Sequence, residues 1–364
     1  MMRDDFYAVI MAGGKGERFW PQSRSSNPKP LLRLVGELTL IEQTVERLKF
    51  TALPENIIII TNRDYVAPMQ SLLSSIPKEN IIGEPVGKDT APCIAMATAV
   101  VSGRASSKNP IMGIFPADHV IRDIESFRKV ITDGISAAEK SNIVTIGIKP
   151  SYPSTGYGYI HFGKKLDLPL ETSFYQGLGF KEKPDSETAQ NFLAEGNYSW
   201  NSGIFIWSVS TIMEAFSKHS PELGLSSANM KKAVKTGNFL QTVENEYSKI
   251  KKNSIDYAVM EKVSNVIVAE SKFDWDDVGS WVALKNQIRP SENNNIIRGL
   301  HSGLATKNCI IVGGNSHLIS TIDIEDLIIV HTDDVTFVCK TRSAQKIKEL
   351  LRDMSSNPDL IKYL

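Results

Sequence analysis

Five short β-branched runs, separated by longer stretches with apolar residues three and four apart, occupy the chain from Tyr7 to about Ile148. The runs are AVIMAG (8–13), NIIIIT (56–61), NIIGE (80–84), IMGIFP (111–116) and IVTIGI (143–148). The intervening TLIEQTVERLKF, TAPCIAMATAVVSG and IESFRKVITDGISAAEK have the period of core-facing helices. Near-continuous apolar strands alternating with amphipathic helices form a parallel sheet covered on both faces, so this part is expected to be α/β. After Pro153 the texture changes to TGYGYIHFG and SFYQGLGFKEKP, which predicts antiparallel strands at the far side of that sheet. A helix over 186–195, a strand over 200–209, a polar helical stretch to about Lys262 and a loop leading into a helix over 273–287 complete the expected first domain, residues 1–288.

Beyond Pro290, apolar triplets at 310–312, 317–319, 328–330 and 337–339 recur at intervals of seven to eleven residues between polar turns. That spacing suggests a few coils of β-helix or a small sheet, closed by a helix over 343–353, as a second domain of residues 289–364.

Charge and cysteine content narrow the function. Lys plus Arg and Asp plus Glu both number 41, so no global field draws nucleic acid or an anionic membrane. A small anion held by a few local cations remains compatible. Cys93, Cys309 and Cys339 lie far apart with no C-x-x-C, which supports neither a disulfide framework nor a zinc site. The start, MMRDD, precedes only a six-residue apolar run, too short for a signal peptide or a membrane span. A cytoplasmic location is expected.

The strongest local feature is MAGGKGERFWPQSRSSNPKPLL, directly after the first strand. Gly13, Gly14 and Gly16 permit positive φ and close backbone approach, so that several N–H groups can converge on phosphate oxygens. Arg18 and Lys29 add cations to this cradle, and Pro21, Pro28 and Pro30 stiffen it. A dinucleotide fingerprint would need glycine where Phe19 stands, and GEPVGKD from Gly83 fails as a Walker A loop in both its spacing and its Asp89.

The loop GGKGERFWPQSRSSNPKPLL resembles the signature of the nucleotide-sugar pyrophosphorylases, and among them the mannose-1-phosphate guanylyltransferase family. Further segments follow in that family's order: EPVGKDTAPCIAMA (84–97), FPADHVI (115–121), TGYGYI (155–160), FKEKP (180–184) with WNSGIF (200–205), and DWDDVGSW (274–281). SIDYAVMEK (254–262) is similar to a family segment as well. The resemblance implies a Rossmann-like mixed-sheet nucleotidyltransferase (GT-A-like) domain with a small C-terminal β-helix-like domain. It also implies transfer of a guanylyl group from GTP to mannose 1-phosphate with Mg²⁺, by a homodimer. Longer family members carry an added isomerase domain of cupin type; the chain ends at Leu364, and isomerase activity is not expected.

Residue by residue, the resemblance implies that Ala12, Gly13, Gly14 and Gly16 cradle the triphosphate, with Arg18 and Lys29 neutralising it and the departing pyrophosphate. Lys183 would bind the attacking sugar phosphate, although E-K-P in isolation reads as a solvated lysine before a turn. Asp118, at the carboxyl end of an apolar strand where open α/β sheets bind ligands, and Asp277 would hold Mg²⁺, which suits few protein oxygens. Asp118 alone reads rather as a helix N-cap, because a helical segment follows within a few residues. Asp276 beside Asp277 is the ambiguity, and His119 receives no catalytic role. Glu84, Lys88, Asp89 and Thr90 form the base neighbourhood. A carboxylate such as Glu84, or a backbone carbonyl nearby, would complement guanine, but the residues alone do not select GTP over another triphosphate. Gly156, Tyr157, Gly158, Glu182, Asn201 and Gly203 would surround the sugar. Tyr157 and Tyr159 could equally be plain strand residues. Two other functions stay open on the residues alone: a pyrophosphorylase for another hexose 1-phosphate or nucleotide, and a non-catalytic sugar-nucleotide-binding subunit.

Overall fold

The computed structural model describes residues 3–364. Packing divides the chain into two compact units that do not follow chain order. The first contains the segment ending at Gly13 together with Thr44–Ala117 and Ile121–Trp275; the second contains Gly14–Gln43, Asp118–Val120 and Asp276–Leu364. The glycine loop therefore shares a unit with the C-terminal coils.

In the first unit, nine strands form one sheet: β1 (Phe6–Ala12), β2 (Ile57–Asn62), β3 (Ile81–Glu84), β4 (Ile111–Pro116), β5 (Ile143–Ile148), β6 (Tyr159–Leu166), β7 (Phe174–Lys181), β8 (Tyr198–Ser208) and β9 (Val266–Glu270). Their order is β3-β2-β1-β4-β8-β5-β9-β7-β6, with an added β8–β6 pairing. The first four are parallel, as their uninterrupted apolar runs require. The fifth run is not their direct neighbour. β8 lies between β4 and β5 and is antiparallel to both, pairing Ile114 with Phe205 on one side and Thr145 with Phe205 on the other. Trp207 is fully buried on this strand.

The helices are α1 (Leu40–Leu48), which starts in the second unit, α2 (Val66–Leu72), α3 (Thr90–Arg104), α4 (Ile124–Ala138), α5 (Ser186–Glu195), α6 (Val209–His219), α7 (Pro221–Ala233) and α8 (Phe239–Lys249). α3 is buried from Ala91 through Val101, because it packs against α6 and α7 as well as the sheet, and a helix enclosed on all sides is apolar all round. Asp89, Asp123 and Asp185 cap α3, α4 and α5, their carboxylates accepting from backbone N–H groups. The polar helical stretch expected up to Lys262 is three separate helices followed by a π-helical turn, Asp256–Met260. Strand β9 and helix α2 have no counterpart among the elements expected from the sequence.

The second unit stacks β10 (Ile296–Arg298), β12 (Ile310–Val312) and β14 (Leu327–His331) in parallel register, so that Ile296, Ile310 and Ile328 form a ladder. A second wall pairs β11 (His301–Leu304) with β13 (Ile319–Ile322), also parallel. These are the coils of a small β-helix. The apolar triplets do not each mark a coil, however: those at 310 and 328 stack on one wall and the one ending at Ile319 belongs to the other. The last, in β15 (Thr336–Lys340), folds back antiparallel on β14 and ends the stack. A short helix α9 (Leu284–Gln287) precedes the coils and α10 (Ile347–Ser355) follows them. Their common core includes Phe19, Trp20, Val278, Trp281, Ile310, Ile328 and Ile347. Trp281 Nε1 donates to the Trp20 carbonyl at 3.1 Å, and Trp20 Nε1 donates to the Tyr363 carbonyl at 2.8 Å. Among the described residues no helix is long and apolar enough to cross a membrane.

Candidate active site

The second unit holds a cleft of about 410 Å³ lined by Gly14, Gly16, Arg18, Lys29, Asp118 and Asp277, among others. Gly16 adopts φ 73°, where a side chain is strained. A Cβ at this position would overlap that of Lys29 and lie 3.1 Å from the Lys29 Cα. Glycine is therefore what lets the two ends of the loop pass each other. Ser23 Oγ donates to the Gly16 carbonyl at 2.6 Å and Lys29 N to the Lys15 carbonyl at 3.2 Å, which fixes the loop's path.

Lys29 is only 7% exposed. Its ammonium donates to Asp118 Oδ2 and to the Asp277 carbonyl, both at 2.7 Å. Burial pushes the Asp118 carboxyl upward, but the charges of Lys29 and His119 and the Lys29 hydrogen bond outweigh it and hold it below the ordinary carboxylate value. The half-buried Arg18 donates through Nη1 to the Gly279 carbonyl at 3.2 Å, while its buried Nε lacks a protein partner. The Asp277 carboxylate stands beside the same glycine: a Cβ there would lie 3.3 Å from Asp277 Oδ2 and 3.7 Å from Arg18 Nη1.

Neighbouring Asp276 is committed elsewhere. Its carboxylate accepts from Val278 N at 2.7 Å, Gln287 Nε2 at 2.8 Å and Asn286 Nδ2 at 3.2 Å, and its backbone bridges to Val120. These bonds hold Val278 at φ 42°, a costly conformation for a buried β-branched residue. Of the two aspartates, Asp277 is the one that lines the cleft.

The remaining candidates lie in the first unit. Ala12 ends β1, and its carbonyl accepts from Thr61 Oγ1 at 2.9 Å. A Cβ on Gly13 would lie 3.3 Å from Glu84 Oε2, so the Glu84 carboxylate rests against the start of the loop. Tyr247 donates its hydroxyl to the other oxygen, Oε1, at 2.9 Å. Burial pushes the Glu84 carboxyl up to about 7, against the lowering effect of the Tyr247 hydrogen bond. Lys88 donates to the carbonyls of Tyr247 and Ile250, Asp89 caps α3, and Thr90 Oγ1 accepts from Ile255 N at 2.8 Å. These three side chains bind the 247–255 segment and the helix start.

The sugar candidates converge around Gly158. A Cβ there would come 2.5 Å from Glu182 Oε2 and 3.5 Å from the Asn201 Cβ. Asn201 donates to Asp256 Oδ1 at 2.9 Å and accepts from Gly203 N at 3.0 Å. Lys183 is ion-paired with Glu182 and sits at φ 41°. Burial pushes the Asp256 carboxyl up to about 6, with the Glu182 charge adding to the effect. Gly156 N donates to Ser154 Oγ at 3.2 Å. Tyr159 is fully buried, and Tyr157 packs edge-on against Trp200 and Trp275 at 5.0 and 5.2 Å. Asp256 is not among the residues the sequence singles out, although its segment, SIDYAVMEK, is. It begins a π-helical turn, a distortion frequent at functional sites. Tyr247 carries no sequence signal.

A nucleotidyl transferase family model matches residues 7–293, and a MannoseP isomerase/GMP-like beta-helix domain matches residues 299–354. The fold and loop thus define a nucleotidyltransferase, an enzyme class of nucleotide-sugar synthesis. Over 98% of its length the chain is 33% identical to the mannose-1-phosphate guanylyltransferase of Escherichia coli K12, and over 96% it is 34% identical to the alginate biosynthesis protein AlgA of Pseudomonas aeruginosa PAO1. It spans 75% and 72% of those proteins. A crystal structure named as mannose-1-phosphate geranyltransferase from Thermus thermophilus superposes with a TM-score of 0.85 at 32% identity, covering 96% of this chain and 99% of that one. The chain belongs to the mannose-1-phosphate guanylyltransferase family.

Proposed function

We propose that the protein transfers the guanylyl group of GTP to α-D-mannose 1-phosphate, giving GDP-mannose and diphosphate. The observation that carries this reading is the convergence of Gly16, Arg18, Lys29, Asp118 and Asp277 on one cleft, in a chain whose relatives are named for that reaction. Attack of one phosphate on another needs suppressed repulsion and aligned reactants more than a covalent nucleophile. The loop amides of Gly13, Gly14 and Gly16 orient the triphosphate, and Arg18 faces the charge that grows on the leaving diphosphate. Lys183 receives the sugar phosphate, whose oxygen attacks the α-phosphorus in line. Glu84, held by Tyr247, accepts from guanine N1 and N2. Glu182 and Asn201 bind mannose hydroxyls, so that an inverted hydroxyl would leave buried polar groups unpaired.

Asp118 and Asp277 suit Mg²⁺. Both line the cleft, both are hard oxygen donors, and among the described residues no cluster of three or more His, Cys, Asp or Glu forms a complete protein cage. An ion that keeps most of its coordination for phosphate and water fits such a pair. When bound, it would offset phosphate charge. We further propose a cytoplasmic homodimer, to be checked by light scattering on the purified protein.

The test is release of pyrophosphate with GTP, ATP, UTP or dTTP, each paired with mannose or glucose 1-phosphate. Turnover is expected for GTP with mannose 1-phosphate. Preference for another pair would move the specificity, and no turnover with any pair would leave a binding subunit.

A further inference from the structure

The charges in the phosphate cleft do not balance in the way the glycine loop alone suggests. Lys29 is spent on Asp118 and on the Asp277 carbonyl, and Arg18 spends one donor on the Gly279 carbonyl. The triphosphate and the diphosphate that departs from it are nonetheless the most highly charged species in the reaction. Beside the loop's own Lys15 and Glu17, a further charged side chain lines the same cleft: Lys348, from the second residue of α10. Its side chain is exposed, and it makes no ion pair or hydrogen bond with a described residue.

The root of this side chain is fixed. Ile347, directly before it, is 2% exposed and belongs to the same core as Phe19 and Trp20 of the loop. α10 packs on the short helical turn Glu17–Phe19 that carries Arg18. An adjoining cleft of about 530 Å³ is lined by Lys348 again, with Lys15, Glu17, Arg352, the C-terminal Leu364 and Arg24, the last ion-paired with Asp334. Lys348 thus stands where the phosphate cleft meets a second cleft in which Lys15 and Arg352 are further cations, and a flexible ammonium on a packed helix can reach an anion in either.

We propose that Lys348 binds the β- and γ-phosphates of the nucleotide and the diphosphate that leaves, making the C-terminal coil segment part of the phosphate-handling apparatus. This rests on the reading of the glycine-loop cleft as the triphosphate site.

The test is calorimetric binding of pyrophosphate, in excess Mg²⁺, to the full-length protein and to Lys348→Ala, Lys348→Glu, Lys348→Arg and Arg18→Ala. Loss of one charge-assisted contact should weaken binding about tenfold in Lys348→Ala. Lys348→Glu should weaken it further and Lys348→Arg should restore it. The KM for GTP should rise in parallel, and that for mannose 1-phosphate should stay unchanged. If Arg18→Ala weakens pyrophosphate binding while Lys348→Glu binds it like the parent, the role of Lys348 is overturned and the cleft reading survives. If the parent itself does not bind pyrophosphate, or Arg18→Ala binds it equally well, the cleft reading fails and takes this inference with it.

Discussion

Gly16 and Lys29 share a space that admits only one side chain: a Cβ on the glycine would overlap that of the lysine. The contact sets the ammonium of Lys29 between Asp118 and the Asp277 backbone, and so couples the conformation of the loop to the acidic side of the cleft.

Replacing Gly16 with alanine should therefore displace Lys29 and strain a φ of 73°, at a cost of about 1–3 kcal/mol. Calorimetry should show a lowered Tm together with lost activity. Gly14→Ala is the control, because nothing lies within 4 Å of the added methyl; its Tm should match that of the parent. Equal Tm values for both variants would contradict the packing described.

Arg18→Ala and Lys183→Ala should each lower kcat/KM by about 10² or more, roughly 3 kcal/mol of transition-state stabilisation. Steady-state kinetics should show the Lys183 variant losing mannose 1-phosphate and the Arg18 variant losing GTP. Near-normal kinetics in both would remove their assignment.

The two adjacent aspartates should behave differently. Asp276→Ala deprives Val278 N, Asn286 and Gln287 of their acceptor and should lower stability by about 1–3 kcal/mol in chemical denaturation. Asp277→Asn should fold normally and instead require far more Mg²⁺ for half-maximal turnover. The reverse pattern would exchange their roles.

The raised carboxyl of Glu84 makes a pH prediction. With a folded value of about 7 against 4.5 for the free group, the native state holds a proton that the unfolded chain has released. Stability should therefore fall as pH rises from about 4.5 to 7, by about 2–3 kcal/mol in all. Only the ionised form accepts both guanine donors, so the KM for GTP should fall across the upper part of that range. Glu84→Gln should flatten both profiles. An unchanged stability profile in that variant would place the titration elsewhere.

The first four strands, with α1 and α3 between them, are legible in the sequence because a buried parallel sheet writes itself as unbroken β-branched runs, whereas α2 is not. The position of β8 is not, since the pairing of Ile114 and Thr145 with Phe205 depends on partners remote in sequence. The coil period misleads because one coil contributes triplets to two walls, and spacing alone cannot tell walls apart. The loop glycines, Arg18, Lys29, Asp118 and Asp277 can be read from motifs, and the structure brings the cleft-lining residues of that set together. Asp256, Tyr247 and Lys348 meet neighbours that lie far away along the chain; Asp256 falls in the segment SIDYAVMEK that the sequence singles out, but nothing in that pattern picks out the residue, and no local pattern marks the other two.

The central placement of β8 bears on biosynthesis. Until residue 208 has emerged from the ribosome, β4 lacks the partner that covers one of its edges, and β5 lacks the same partner on the side facing it. Bare backbone edges of apolar strands invite pairing with another nascent chain. Between translation of Ile148 and that of Ser208 both strands therefore present bare edges at once, and pairing with another chain is open to this polypeptide.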